Sequence, residues 1–172
     1  MKEDEYPINY IYQVLEKELI FPRPIFMNYH IPHLPKEDDR GNKEYKYRLY
    51  LHDDLHNYPL RIQESYKNGE EVQQYKCEKK EWKKKEKTAS QMLYRLLEGN
   101  GKAIYIIGVH DNGENVGINL KETFESIHFL IDSSKIIQAT VKSIKIYQGK
   151  KGYITTIRLH LSIDLNYNIT LF

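Results

Sequence analysis

The sequence predicts an α+β fold, a mixed and largely antiparallel sheet packed with helices in one domain. Three observations carry that expectation. Thr88 is a plausible N-cap, Met92, Leu93, Leu96 and Leu97 form an apolar stripe, and Gly99-Asn100-Gly101 closes the segment, so residues 88–98 read as a helix. Ala103 to Val109 is a nearly continuous apolar run of the kind found in central strands. Ile136 to Tyr147 and Tyr153 to Ile163 read as two long strands joined by Gln148-Gly149-Lys150-Lys151-Gly152, an antiparallel pair with a basic tip.

The remaining elements follow in order. Ile8, Ile11, Tyr12, Leu15 and Leu19 recur at helical spacing after Pro7, which predicts an amphipathic helix stopped before Pro22. Residues 21–43 hold Pro22, Pro24, Pro32 and Pro35 and then Glu37-Asp38-Asp39-Arg40-Gly41-Asn42, the composition of an extended irregular segment ending in a turn. Glu44 to Leu51 alternates as a strand. In residues 52–87 Asn68-Gly69 separates two stretches that could pair as a hairpin, so this region reads as an insertion. His110-Asp111-Asn112-Gly113 turns the chain toward Val116-Gly117-Ile118, and Phe124, Ile127, His128 and Ile131 mark a helix between Asn119 and Ser133. The predicted organisation is an N-terminal helix and Pro-rich lead at 1–33, an α+β domain at 34–163 with a lysine-rich hairpin or arm inserted at about 52–87, and a tail at 164–172.

Composition narrows the function classes. With 172 residues, 40% hydrophobic and 29% charged, the chain can bury one sizeable core, to which fifteen tyrosines can contribute. Cys77 is the only cysteine, which excludes an internal disulfide and a cysteine-based zinc site and fits a reducing compartment. No apolar run approaches the ~18 residues of a membrane span and the acidic start, Met1 to Glu5, is unlike a signal peptide. A soluble cytoplasmic protein is expected. A formal charge of +2 does not identify a nucleic-acid binder, so the clustering of Lys and Arg must decide.

Two clusters are candidates. Lys76 to Lys87 holds seven lysines around Trp82; it reads either as a solvated helix face or mobile arm, or as an RNA contact. In the second reading Lys79, Lys80, Lys83, Lys84 and Lys85 meet phosphates while Trp82 stacks on a base. Lys150 and Lys151 at the hairpin tip would join them.

Ser90-Gln91-Met92-Leu93-Tyr94-Arg95-Leu96-Leu97-Glu98-Gly99-Asn100-Gly101-Lys102-Ala103-Ile104-Tyr105-Ile106-Ile107-Gly108-Val109-His110-Asp111-Asn112-Gly113 resembles the helix, glycine turn, strand and acidic turn that precede the GTPase domain in the GTP-binding-protein-1 family. Leu34-Pro35 through Gly41-Asn42-Lys43-Glu44-Tyr45-Lys46 is similar to that family's Pro-rich, acidic lead into a Gly-Asn-x-Glu-Tyr-Lys strand. The resemblance runs from about residue 34 to 163, with a longer stretch between Lys46 and Ser90 than the family has. It implies an RNA- or ribosome-associated module; the alternative is a protein-interaction domain that recruits a GTPase or another protein partner. Neither a membrane nor DNA is implied. No Gly-x-x-x-x-Gly-Lys-[Ser/Thr] phosphate loop occurs, and Gly99-Asn100-Gly101-Lys102-Ala103 lacks its spacing and terminal hydroxyl, so GTP hydrolysis by this chain alone is not expected. The chain reads as a fragment of a longer protein or a stand-alone copy.

The same residues also resemble the Schlafen or AlbA-like domain, whose nuclease members bind a divalent metal through three carboxylates. The matching positions are Asp39, Glu44 and Asp111, with Lys46 two residues beyond Glu44 as a possible phosphate partner. Hard oxygen ligands suit Mg²⁺ or Mn²⁺, which lower the pKa of an attacking water. No cofactor is required unless the chain is such a ribonuclease. Asp39 stands where that family has Glu, and His110 where it has Asp. Asp111-Asn112-Gly113 is also ordinary turn chemistry. His30 and His33 lie in a Pro-rich loop, and no histidine pair has the spacing of a zinc enzyme.

Overall fold

The computed structural model describes residues 20–49 and 71–162, with side chains from Lys80 onward in the second stretch. The predicted N-terminal helix and the Asn68-Gly69 turn lie outside these residues. Five strands, β1 (Ile25–His30), β2 (Lys43–Lys46), β3 (Lys102–Ile107), β4 (Thr140–Gln148) and β5 (Tyr153–His160), form one sheet in the order β1-β4-β5-β3-β2. The central pairs β4/β5 and β5/β3 are antiparallel, and the outer pairs β1/β4 and β3/β2 are parallel. The fold is therefore α+β on a mixed sheet.

Helices α1 (Glu71–Glu98) and α2 (Leu120–Ile136) cover one face. Alternation along the strands sends Ala103, Tyr105 and Ile107 of β3, Ile144 and Ile146 of β4, and Tyr153, Ile157 and Leu159 of β5 into that face. They meet Met92 and Leu96 of α1 and Phe124, Ile127 and Leu130 of α2, at helical spacing. Leu97, part of the expected stripe, is exposed. Among the described residues the opposite face is covered at one end only, where Ile31 and Leu34 of the Pro-rich segment pack on Tyr45, Ile106, Val109 and Ile154.

The lysine-rich run lies within α1 and is not an arm. Residues 71–98 contain no Gly or Pro and are rich in Glu, Lys and Gln, which hold helical geometry well. The helix ends at Gly101, whose N–H reaches back to the Leu96 carbonyl at 2.7 Å with φ at 93°, a conformation only glycine adopts cheaply. Asn119 caps α2, its side chain accepting from the Glu122 N–H at 2.8 Å.

Other boundaries differ from the pattern: Thr88 lies inside α1 and does not cap it, and α2 runs on to Ile136, so β4 starts at Thr140. Residues 25–30, expected to be irregular, form an edge strand; flanking prolines are compatible with an edge, and its mostly exposed residues leave no alternation to read. β2 stops at Lys46, well short of Leu51, because Gly108 N–H binds the carbonyls of Lys46 and Tyr47, Tyr47 stacks on His110 at 4.5 Å, and Leu49 N–H turns to Ser126 Oγ of α2 at 3.0 Å.

Candidate functional site

β2 is an edge strand of four residues, and its alternation places Glu44 under the helices beside Tyr105. A carboxylate there is almost fully buried and needs a partner. Arg95 of α1 supplies it, Nε lying 2.7 Å from Glu44 Oε2, with the arginine side chain 4% and the glutamate side chain 6% exposed. The guanidinium also donates to the carbonyls of Asp38, Arg40 and Gly41 at 2.9, 3.0 and 3.0 Å. One side chain thus fastens the acidic turn and β2 to α1. Lys46 Nζ lies 3.6 Å from the other oxygen of Glu44.

The structure does not bring Asp39, Glu44 and Asp111 together. Among the described residues no three His, Cys, Asp or Glu side chains form a group able to hold a metal ion. Asp39 is exposed, and its carbonyl accepts from Tyr94 Oη at 2.9 Å. The carboxylate electrostatically coupled to Glu44 and Asp111 is instead Glu37, two residues earlier in the same acidic run. Its oxygen accepts the Tyr45 N–H, and its own N–H binds the Asp111 carbonyl at 2.7 Å. Burial, with the like charges of Glu44 and Asp111, raises the Glu37 pKa against that hydrogen bond. Gly113 fits this contact because a Cβ there would come 2.2 Å from the Leu34 carbonyl oxygen.

Next to the Arg95–Glu44 junction a cleft of about 300 Å³ opens between the end of β2, α1 and α2. It is lined by Lys46, Arg48 and Leu49, by Lys84, Lys87, Thr88 and Gln91 at successive turns of α1, and by Phe129 of α2. Four cations face it, against Glu44 and Glu122, which lies 3.4 Å from Arg48. Two hydroxyl- or amide-bearing side chains beside them can donate or accept hydrogen bonds. The cleft suits a phosphate-bearing ligand.

Lysines of the run have different roles. Lys84 faces the cleft, and Lys80 and Lys83 are exposed. Lys85 is held 3.0 Å from Glu81 and 3.1 Å from Asp132, tying α1 to α2. Burial opposes its charge, yet those two carboxylates raise its pKa. Trp82 is 52% exposed and donates to Glu86, but it lies about 200° around the helix from Lys84, so the two do not share a face. The Lys79 side chain lies outside those described. Lys150 and Lys151 are exposed, yet their tip is not loose: their N–H groups bind the Asn115 and Val116 carbonyls at 3.1 and 2.7 Å. Arg48 and Lys87 were missed by sequence reasoning; Lys87 belongs to the lysine run, whereas Arg48 carries no separate signal.

Comparison with known proteins agrees in part with the resemblance. GTP-binding protein 2 of Mus musculus and of Homo sapiens are each 30% identical to this chain over 114 residues. That stretch is 66% of the chain and 14% of each relative, so similarity reaches a GTPase-related region and not a whole protein. No protein-family profile matches the sequence, and no solved structure does. No helix among the described residues is long and apolar enough to cross a membrane.

Proposed function

We propose that this chain is an RNA- or ribosome-associated binding module, related to the non-GTPase part of a GTP-binding protein and acting in the cytoplasm. The observation that carries this reading is the cleft lined by Lys46, Arg48, Lys84 and Lys87. Its cations come from a strand end and a helix that the buried Arg95–Glu44 pair fastens together, so their spacing is preset before a ligand arrives. Phosphates entering the cleft would displace counterions, which makes affinity fall with salt. The similarity to GTP-binding protein 2 supports the setting and does not name the ligand.

The metal-dependent ribonuclease reading draws no support from the same residues, because Glu44 is engaged by Arg95 and Asp39 does not join it. The test is fluorescence anisotropy of a labelled single-stranded RNA against wild type and Lys84→Gln/Lys87→Gln. We expect salt-dependent binding whose slope of log affinity on log salt is smaller by about 1.4 in the variant, for two phosphate contacts. Absence of RNA binding by the wild type at low salt would sink the proposal.

A further inference from the structure

The sheet has a second charged surface, on the face the helices leave uncovered. Alternation and register place Lys102, Ile104 and Ile106 of β3, Thr156, Arg158 and His160 of β5, and Ser143 and Lys145 of β4 on that face. Lys43 of β2 sits opposite Ile104, and Lys142 occupies the irregularity between Val141 and Ser143. Lys43, Lys102, Lys142 and Arg158 are exposed and Lys145 is half-exposed. The five strands contain a single acidic residue, Glu44, and it faces the helices. Among the described residues no carboxylate pairs with any of these five cations. Partial burial and the charges of Lys142, Lys102 and Arg158 around it hold the His160 pKa below the ordinary histidine value.

We infer that the open sheet face is a second RNA-contacting surface, on which Lys43, Lys102, Lys142, Lys145 and Arg158 grip the phosphate backbone of single-stranded RNA. The inference rests on the RNA-binding reading but uses none of the cleft residues. Five cations spread over four adjacent strands, each about 4.8 Å from the next, offer a positive field wide enough for several phosphates. A polyanion is complementary to this face, because the strands themselves place no carboxylate on it. The centre of the face carries Ile104, Thr156 and Ser143, so it holds the backbone; aromatic rings stand toward β1, where Tyr147 packs edge-on at 5.6 Å against the exposed Tyr29, and base stacking there would tolerate any sequence. The cleft and this face lie on opposite sides of the sheet, β2 contributing Lys46 to one and Lys43 to the other.

The experiment compares wild type, Lys102→Gln/Lys142→Gln/Arg158→Gln, and Lys84→Gln/Lys87→Gln in anisotropy titrations with a fluorescein-labelled oligouridylate and oligoadenylate over a range of salt. The sheet variant should lower the magnitude of the salt slope by about 2, three contacts at ~0.7 each, equally for both RNAs. Restoring charge with Arg158→Lys in place of Arg158→Gln should recover about one third of the change. All three side chains are exposed, so circular dichroism melts should match the wild type. In the wild type, RNA should raise the His160 pKa, read by NMR titration, because phosphate favours the imidazolium. An unchanged slope in the sheet variant, with the cleft variant weakened, overturns this inference and leaves the cleft reading intact. No RNA binding by the wild type overturns both. Binding to phosphatidylserine vesicles but not RNA assigns the face to a lipid surface and overturns the inference.

Discussion

Replacing Glu44 by Gln tests the junction on which the cleft depends. The pair is buried, at 2.7 Å, with side-chain exposures of 4% and 6%, so solvent screens it little. Glu44→Gln keeps the shape and one acceptor for Arg95 Nε, but leaves a guanidinium buried without its counter-charge. Breaking such a pair costs about 3–5 kcal/mol, and the retained hydrogen bond places this variant near 3 kcal/mol. Arg95→Met removes four hydrogen bonds and the three carbonyl contacts among them, placing it at or above about 4 kcal/mol. Against a total stability of roughly 5–15 kcal/mol for a domain, either change is large. The double variant should cost less than the sum of the singles, because the second substitution removes the charge that the first one strands. Urea denaturation followed by circular dichroism reads all three, with midpoints compared at constant slope. A loss below about 1 kcal/mol for Glu44→Gln would mean that the pair behaves as a solvated surface bridge, and the preset-cleft argument would fail.

Three other outcomes follow from single features. Glu37 has a raised pKa, so the folded state holds its proton more tightly than the unfolded chain; the group favours folding at low pH and loses that contribution as pH rises from 4.5 through the raised value. Glu37→Gln should therefore gain stability relative to wild type between pH 4 and pH 7, and a flat or falling difference in urea midpoints would refute the assignment. Tyr105 Oη is buried with no hydrogen-bond partner among the described residues, so Tyr105→Phe should leave stability unchanged or raise it by about 1 kcal/mol in thermal melts; a loss above ~1 kcal/mol would show that the hydroxyl has a partner. Asn119→Ala removes the cap of α2 and should cost about 1 kcal/mol, detectable by the same melts, with no loss counting against the capping role.

The amino-acid pattern alone determined the α+β class and the elements with strong local signals. The helix ending at Gly99-Asn100-Gly101, the apolar β3 run, α2 and the β4/β5 hairpin all carry periodicity and turn chemistry that are properties of neighbouring residues. The cations Lys142 and Lys145 of β4 and Arg158 of β5, and the lack of acidic residues in both strands, were visible there too. Whether Lys142, Lys145 and Arg158 share a surface with Lys43 and Lys102 was not, because strand order and register join residues over a hundred positions apart. Edge strand β1 shows no alternation, having almost no buried face to encode it. The acidic run Glu37-Asp38-Asp39 offers three equivalent carboxylates, and only the packed turn decides that Glu37 comes near Glu44 and Asp111 while Asp39 does not. In the same way Lys84 and Lys85 are adjacent and chemically identical. A 100° step around α1 points one into the basic cleft and the other at Asp132, and that distinction exists only once α2 is packed alongside.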